Sequence, residues 1–265
     1  GHACGHNLFG AASVHAAVAI KEYLKETNQK GTIRLYGTPA EEGGSGKVYI
    51  ARDGYFDDVD IVLHWHPDDL NKSHFSSSNG NKSARFTFKG ISAHAAGAPQ
   101  NGRSALDGVE AMNMMVNMMR EHMDEEARIH YVITKGGLAP NVVPEEAQVY
   151  YYVRHPKVNG VVELFERVVK AAEGAARGTE TKLQYEVMHG NYPLMPNRVL
   201  SEMINTELLK LGGISYNEEE MAYAQELYKT LLNPSRKIGS QEQIQPLRLS
   251  AGKGSTDVGL SLIHI

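Results

Sequence analysis

The alternation of strand and helix patterns between residues 80 and 190 constrains the fold of this chain more than any other feature. Runs with a period of two, typical of strands, alternate there with longer runs of helical spacing. The predicted elements are a strand at 84–89, a helix at 104–122, strands at 128–134 and 147–154, a helix at 161–176 and a strand at 182–188. The order β-α-β-β-α-β is the ferredoxin-like arrangement. We therefore predict an α+β domain over residues 80–190, beginning after a turn cluster at 79–81.

The segments on either side predict an α/β layer into which this domain is inserted. Apolar residues at helical spacing, then short apolar strands, then further helices follow one another there. The helices are expected at 8–25, 199–211 and 217–232, and the strands at 32–36 and 61–63. The predicted organisation is a first catalytic part at 1–79, the inserted domain at 80–190 and a return segment at 191–265.

Charge and composition exclude several classes of function. The formal net charge of -4 shows no basic excess, so nucleic acid is not an expected partner. No apolar run approaches the ~20 residues that a membrane-spanning helix needs, so a membrane partner is not expected either. The single cysteine cannot form an internal disulfide, which indicates a reducing compartment such as the cytoplasm.

Side chains able to bind a metal occur in three short loops beside glycine or proline. The loops are Cys4-Gly5-His6, Glu41-Glu42 and His64-Trp65-His66. The first begins a predicted helix, where a thiolate is favoured, and the others follow predicted strands. Functional groups of an open α/β sheet gather at the carboxyl ends of its strands, so we expect these loops to meet. In an adjacent carboxylate pair, one group can bind a metal while the other takes a proton from water.

Each loop also has a purely structural interpretation. A lone cysteine is often a small buried apolar residue, adjacent glutamates are usually solvated, and one of two close histidines often only packs. Two further functions fit the same residues. One is a nucleophilic hydrolase in which Cys4 attacks the substrate, and the other is a non-catalytic binding or scaffold protein.

Several longer motifs resemble a known family. The segments GHACGHN, TPAEEGG, the stretch ending in Trp65-His66-Pro67, and GISAHAAGAP resemble the aminoacylase and carboxypeptidase-G-type two-metal metallopeptidases. Within that family they resemble the amidohydrolase branch, in which a cysteine replaces an aspartate ligand. The segments GRSALDGVEAMN, REHM, ARIHYVIT, GGLAPNVVPEEAQVYYYVR and GSTDVG resemble its p-aminobenzoyl-glutamate hydrolase type. The resemblance extends over nearly the whole chain.

The resemblance implies hydrolysis of the amide bond of N-acyl or N-aroyl amino acids with two divalent metal ions, Zn or Mn. The implied metal ligands are Cys4, His6, Glu42 and His66, and Glu41 matches the general base. His64 matches no ligand, so we expect it to pack or to support a ligand. A dipeptidase of the same family is the alternative activity.

The resemblance also implies that residues 80–190 form a lid and dimerisation domain in a homodimer. His94 matches a lid histidine that stabilises the oxyanion in the neighbouring subunit's site, and we expect it to lie far from Cys4 within one chain. Asn141 and Arg154 match lid residues that hold the substrate carboxylate, for which a guanidinium suits bidentate bonding.

Two features of the family have no counterpart in this chain. A fifth metal ligand, a histidine, lies well beyond the GSTDVG motif in the family, and His264 comes too early to match it. A further segment with strands and an acidic motif precedes GHACGHN in the family. We therefore expect this chain to be a piece of a longer hydrolase, and a catalytically incompetent fragment that retains only the fold is a further alternative.

Overall fold

The computed structural model describes residues 4–260. Its helices and strands, in chain order, are α1 (His6–Glu26), α2 (Gly46–Arg52), β1 (Ser76–Ser77), β2 (Gly80–Lys89), α3 (Ala105–Met119), β3 (Arg128–Lys135), β4 (Glu146–His155), α4 (Val158–Gly178), β5 (Lys182–Asn191), α5 (Arg198–Leu211), α6 (Glu218–Lys229) and β6 (Ser250–Ala251). Short 3-10 turns lie between some of them. None of the helices in the described part of the chain is both long and apolar enough to cross a membrane.

The chain divides into two compact units. The helical unit comprises Gly1–Gly37, Asp60–Ser76 and Pro196–Ser250 and contains α1, α5 and α6. The sheet unit comprises Thr38–Val59, Ser77–Met195 and Ala251–Ile265. The predicted inserted domain lies within the sheet unit, which also takes in two segments that the sequence assigned to the flanking parts.

The sheet unit has the predicted β-α-β-β-α-β order. Its four strands are antiparallel and lie in the order β3-β4-β2-β5, with β2 and β4 paired from Gly80 opposite His155 to Lys89 opposite Glu146. The predicted turn cluster is wrong at Gly80 and Asn81, which already belong to β2 because their backbones pair with β4 and β5.

One face of this sheet packs against α3 and α4 to form the core. Alternate residues of β2 and β4 point to the helices, as the two-residue period of a strand requires. The fully buried members include Phe86, Phe88, Val149, Tyr151 and Val153. The predicted helix face of α3 is confirmed, with Val109, Met112 and Val116 buried against the sheet and Leu106 and Met119 partly buried beside them.

The helical unit contains the predicted helices but not the predicted strands. The α1 and α5 helices match their predicted ranges closely, and α6 begins after an Asn217 capping box and ends at Lys229, three residues earlier than expected. Residues 32–36 and 61–63 form no strand, and Leu35 and Leu63 are exposed. An alternating pattern favours an extended chain, but a strand also needs a partner, and no strand of the described chain pairs with either segment.

An ion pair joins the segments at 38–59 and 251–260 of the sheet unit to each other. The Lys47 ammonium lies 2.7 Å from a carboxylate oxygen of Asp257, which is completely buried. The Asp257 carboxylate also accepts a hydrogen bond from the Lys47 backbone. The backbone N–H of Asn79 donates to the carbonyl of Gly254, which ties the second segment to the start of β2.

Candidate metal centre

Cys4 and His6 are arranged by the first turn of α1. Gly5 is the N-cap of the helix and has a left-handed backbone, with φ of 71°. Its carbonyl accepts a hydrogen bond from the backbone of Leu8 at 2.9 Å. A side chain is disfavoured at such a φ, so glycine is the residue suited to this position. The resulting bend sets the thiol of Cys4 and the imidazole of His6 at the same end of the helix.

His66 faces this pair from the segment that precedes Pro67. Its Nε2 lies 3.5 Å from Sγ of Cys4, and its Nδ1–H donates to the carbonyl of Pro67 at 2.6 Å. This second bond leaves Nε2 as the ring atom with a free lone pair, which is the form that binds a metal. The ligand atoms of Cys4, His6 and His66 all lie within 4.8 Å of one another.

Aromatic rings hold the two imidazoles in position. The Phe9 ring stacks on His6 with a centroid distance of 4.8 Å and meets the edge of His66 at 5.1 Å. Trp65 lies against the same phenyl ring at 5.7 Å. Because Phe9 is one helical turn beyond His6, α1 supplies both a candidate ligand and its support.

The chemistry of these three groups fits a divalent transition metal. A thiolate and two imidazoles are common zinc ligands, with bonds of roughly 2.0–2.3 Å. The three ligand atoms already lie within 4.8 Å of one another, so small side-chain rotations bring each of them to bonding distance from one shared ion. His64 is exposed and is not part of this group in the described chain. His264, which the sequence left unassigned, lies outside the described residues.

Glu41 and Glu42 lie in a tight turn of the sheet unit. The carbonyl of Ala40 accepts hydrogen bonds from the backbones of Gly44 and Ser45, each at 2.8 Å. Ala40 has a φ of 61° and Ser45 a φ of 52°, so two residues that are not glycine are held in the left-handed region. Such strain is concentrated at functional sites in proteins. The turn fixes the backbone that carries both carboxylates.

His94 and Asn141 occur together at one end of the sheet. The segment around Ala93 pairs with that around Val143, and the Ala95 backbone donates to the carbonyl of Asn141 at 3.0 Å. Nδ1 of His94 accepts a hydrogen bond from the backbone of Gly97 at 3.0 Å. The proton of a neutral His94 therefore lies on Nε2, where it can be donated to a ligand. The imidazole is exposed.

Arg154 lies at the other end of β4. It is eight residues beyond the start of the strand at Glu146, or about 27 Å at ~3.4 Å per residue. Its guanidinium lies over the ring of Tyr152, 5.6 Å from the ring centroid. Asn141 precedes the start of the same strand, so a single chain does not bring Asn141 and Arg154 together.

Comparison with known proteins identifies the sheet unit. Residues 76–180 match the peptidase dimerisation domain of the M20 type. The chain is 44% identical to one of the subunits of p-aminobenzoyl-glutamate hydrolase from Escherichia coli over 237 residues, which are 89% of this chain and 49% of that protein. The chain belongs to the M20 peptidase family.

Two further similarities agree with this. The chain is 30% identical to the mouse Xaa-Arg dipeptidase over 215 residues, which are 80% of this chain and 50% of that protein. The crystal structure of an aminobenzoyl-glutamate utilization protein from Klebsiella pneumoniae superposes with a TM-score of 0.50 at 16% identity, over 74% of this chain and 44% of that one, and shows the fold. The M20 chain spans about half the length of the curated relatives it matches.

Sequence reasoning missed the partner of one residue in the M20 motifs. GSTDVG contributes to the family resemblance, but no pattern in the sequence pairs its aspartate with Lys47, 210 positions earlier. The one feature of the sequence that could have drawn attention to Asp257 is that it is an acidic residue within a glycine-rich loop. The structure shows that Asp257 pairs with the second residue of α2, five positions after Glu42.

Proposed function

We propose that this chain provides the catalytic residues of a metal-dependent amidohydrolase that cleaves N-acyl or N-aroyl amino acids such as aminobenzoyl-glutamate. The observation that carries the proposal is the convergence of Cys4, His6 and His66, whose ligand atoms lie within 4.8 Å of one another. The name of the E. coli relative supports this class of substrate. The single cysteine supports a cytoplasmic location, since a thiolate ligand must stay reduced.

Glu42 is proposed as the further protein ligand, and the site as a pair of divalent ions, Zn or Mn. A thiolate and imidazoles favour zinc, whereas carboxylate oxygens also suit manganese. Such ions, when bound, lower the pKa of water and polarise the scissile carbonyl. The fixed turn between Ala40 and Ser45 supports this role, because a ligating carboxylate must be held in place before the metal arrives.

Glu41 is proposed as the general base. Its carboxylate takes a proton from the attacking water and returns it to the leaving amine. The adjacent Glu42 cannot readily point in the same direction, which supports a division of roles between the two. A general base typically contributes roughly 10²–10⁴-fold to the rate.

His94 is proposed to donate its Nε2 proton to the oxyanion in the site of a second copy. The arrangement of the sheet unit supports a contribution between copies. Arg154 lies near the end of β4, whereas His94 lies beside the residues that precede its start, so a single chain does not bring these two side chains to one substrate.

The proposed partner is a second copy of the chain, bound through α3 and β3. The β3 strand is an edge of the sheet, and its Val132 and Ile133 are exposed. Exposed methionines of α3, including Met114 and Met118, line a shallow groove of about 550 Å³ beside Tyr131. A free strand edge next to apolar side chains favours pairing with another copy.

A dipeptidase activity is the second candidate, and the likeness to the mouse Xaa-Arg dipeptidase favours it. Both activities hydrolyse an amide bond with the same residues and differ in the group beyond that bond. Parallel assays with aminobenzoyl-glutamate and with dipeptides ending in arginine distinguish them.

The test of the proposed function is a chelation and rescue assay on the purified protein. Aminobenzoyl-glutamate hydrolysis should stop with a chelator and return with Zn or Mn, and elemental analysis should find metal in the untreated protein. The Glu41→Gln variant should retain metal and lose at least ~10²-fold in kcat. Activity that survives chelation but not alkylation of Cys4 would instead identify a cysteine nucleophile.

A further inference from the structure

The face of the sheet opposite the helices carries polar side chains that are buried without partners. Asn81 lies directly opposite Arg154 of β4 and Asn191 of β5. Two residues along β2, Ser83 lies opposite His189. Directly paired residues of antiparallel strands share a face, as do residues two apart, so these side chains form one patch. We call Asn81, Arg154, His189 and Asn191 the polar cluster.

Five buried atoms of the polar cluster have no hydrogen-bond partner among the described residues. They are Oδ1 of Asn81, Nε of Arg154, both ring nitrogens of His189 and Oδ1 of Asn191. Asn81 is only 3% exposed and His189 only 9%. A buried polar atom without a partner costs about 1–3 kcal/mol, and folded proteins contain few of them. Several in one patch indicate a site whose partners come from a ligand.

The neighbouring hydroxyl groups on the same face do not share this property. Ser83 Oγ lies 3.4 Å from the hydroxyl of Tyr150, which in turn lies 3.5 Å from that of Tyr152. The Tyr152 ring meets His189 edge-on at 5.3 Å and lies under the Arg154 guanidinium. The tyrosine therefore orients both the imidazole and the guanidinium but leaves their polar atoms free.

The atoms of the polar cluster define the ligand by its chemistry. Arg154 has a fixed positive charge and an N–H donor, and no ion pair of the described residues involves it. Burial and, next, the charge of Arg154 lower the pKa of His189, which is therefore neutral near pH 7 and offers one donor and one acceptor. The two amide oxygens accept only. A carboxylate accepts from the two donors, and an N–H group beside it offers a donor to the acceptors.

We propose that His189, Asn81 and Asn191 determine substrate specificity by binding, together with Arg154, the carboxylate and the adjacent N–H group of an N-acyl amino acid. This inference rests on the proposed function for the identity of the substrate. Arg154 and His189 donate to the carboxylate, and the two asparagine oxygens accept from the one N–H in a three-centre hydrogen bond. Arg154 and Asn191 are only partly buried, so the cluster opens to the surface along these two side chains.

The test measures the binding of a ligand that the enzyme cannot hydrolyse. The first probe, N-benzenesulfonyl-L-glutamate (the acid), keeps the N–H and the carboxylates of the substrate. The second probe is its α-carboxamide (the amide), which lacks the negative charge of the α-carboxylate. Calorimetry on the full chain should give a Kd for the acid at least ~10-fold lower than that for the amide. His189→Leu should raise the Kd of the acid by ~10-fold or more, leave that of the amide unchanged, and leave the melting temperature equal or higher, because it removes two unpartnered atoms.

Two control variants separate binding from folding. Ser83→Ala changes an equally buried residue of the same face whose hydroxyl is already near a partner, and should leave both Kd values unchanged. His189→Gln keeps both a donor and an acceptor and should raise the Kd of the acid by no more than ~3-fold. An unchanged affinity of His189→Leu for the acid, or an equal loss for both probes, would overturn the inference.

The two proposals fail differently in these experiments. If the acid binds with the expected dependence on His189 but aminobenzoyl-glutamate is not hydrolysed, the proposed function is wrong and the binding site stands. If hydrolysis depends on metal and Glu41 but the affinity for the acid does not depend on His189, the proposed function stands and this inference is wrong.

Discussion

At the scale of single residues, the candidate metal centre depends on a glycine that binds nothing. Gly5 allows Cys4 and His6 to leave the helix start in the same direction, because its φ of 71° lies in the left-handed region. A Cβ at this position would also lie 3.0 Å from Cγ of Pro67, the residue next to His66. The missing side chain therefore lets the two segments that carry the candidate ligands approach each other.

We expect Gly5→Ala to weaken zinc binding by ~10-fold or more while the protein stays folded. The left-handed backbone costs alanine about 1–2 kcal/mol, and relieving it would separate Cys4 and His6 from His66. Competition with a chromophoric zinc chelator measures the affinity. Gly10→Ala is the matched control, because a Cβ there meets nothing within 4 Å and α1 should only gain stability. Equal zinc affinity in both variants would contradict this role for Gly5.

At the scale of the elements, local pattern predicted the sheet unit well and the helical unit less well. Every helix and strand of the β-α-β-β-α-β order is present, because each has a strong period and its neighbours supply the partners that it needs. The segments at 32–36 and 61–63 have the pattern of strands without a pairing strand in the described chain. Pairings over long sequence distances also escaped prediction, above all that of Lys47 with Asp257.

That ion pair should be essential for the stability of the sheet unit. Asp257→Ala leaves the largely buried Lys47 ammonium without its counter-charge, which typically costs about 3–5 kcal/mol. The double variant Lys47→Met with Asp257→Leu should recover much of this loss, because it removes both charges. Urea unfolding followed by circular dichroism measures both.

Glu207→Ala provides the comparison for an exposed pair. The Lys210 ammonium lies 2.7 Å from a carboxylate oxygen of Glu207 on α5, but both side chains are largely solvated. Loss of this ion pair should therefore lower the free energy of unfolding by no more than ~0.5 kcal/mol. If Asp257→Ala were as mild as Glu207→Ala, the buried pair would not be what holds these two segments together.

At the scale of the whole molecule, His94 and the candidate substrate-binding residues divide between two ends of one sheet. His94 and Asn141 lie near the start of β4, whereas Arg154 and the polar cluster lie near its end. The sequence motifs identified these residues as candidates through the family resemblance. The motifs could not give their separation, which follows from the length of a strand and from the register of its neighbours.

We expect Met118→Glu to convert a dimeric protein to a monomer. The side chain is 65% exposed on α3 beside the free edge of β3, and a charge buried there in an interface would be unpaired. Light scattering coupled to gel filtration measures the mass. Val187→Glu is the matched control on β5, the opposite edge of the sheet, where Val187 is 46% exposed, and it should leave the dimer intact.

Complementation between inactive variants tests whether His94 acts in a second copy. His94→Ala lacks the oxyanion donor and Glu41→Gln lacks the base, so each homodimer should be inactive. A mixed dimer has one site with Glu41 from the first copy and His94 from the second, and should recover up to about half of the wild-type activity per dimer. The reason is geometric, since Arg154 lies near one end of β4 and His94 lies beside the other. Mixed dimers that remain inactive, with subunit exchange verified by mass spectrometry, would show that each chain uses its own His94.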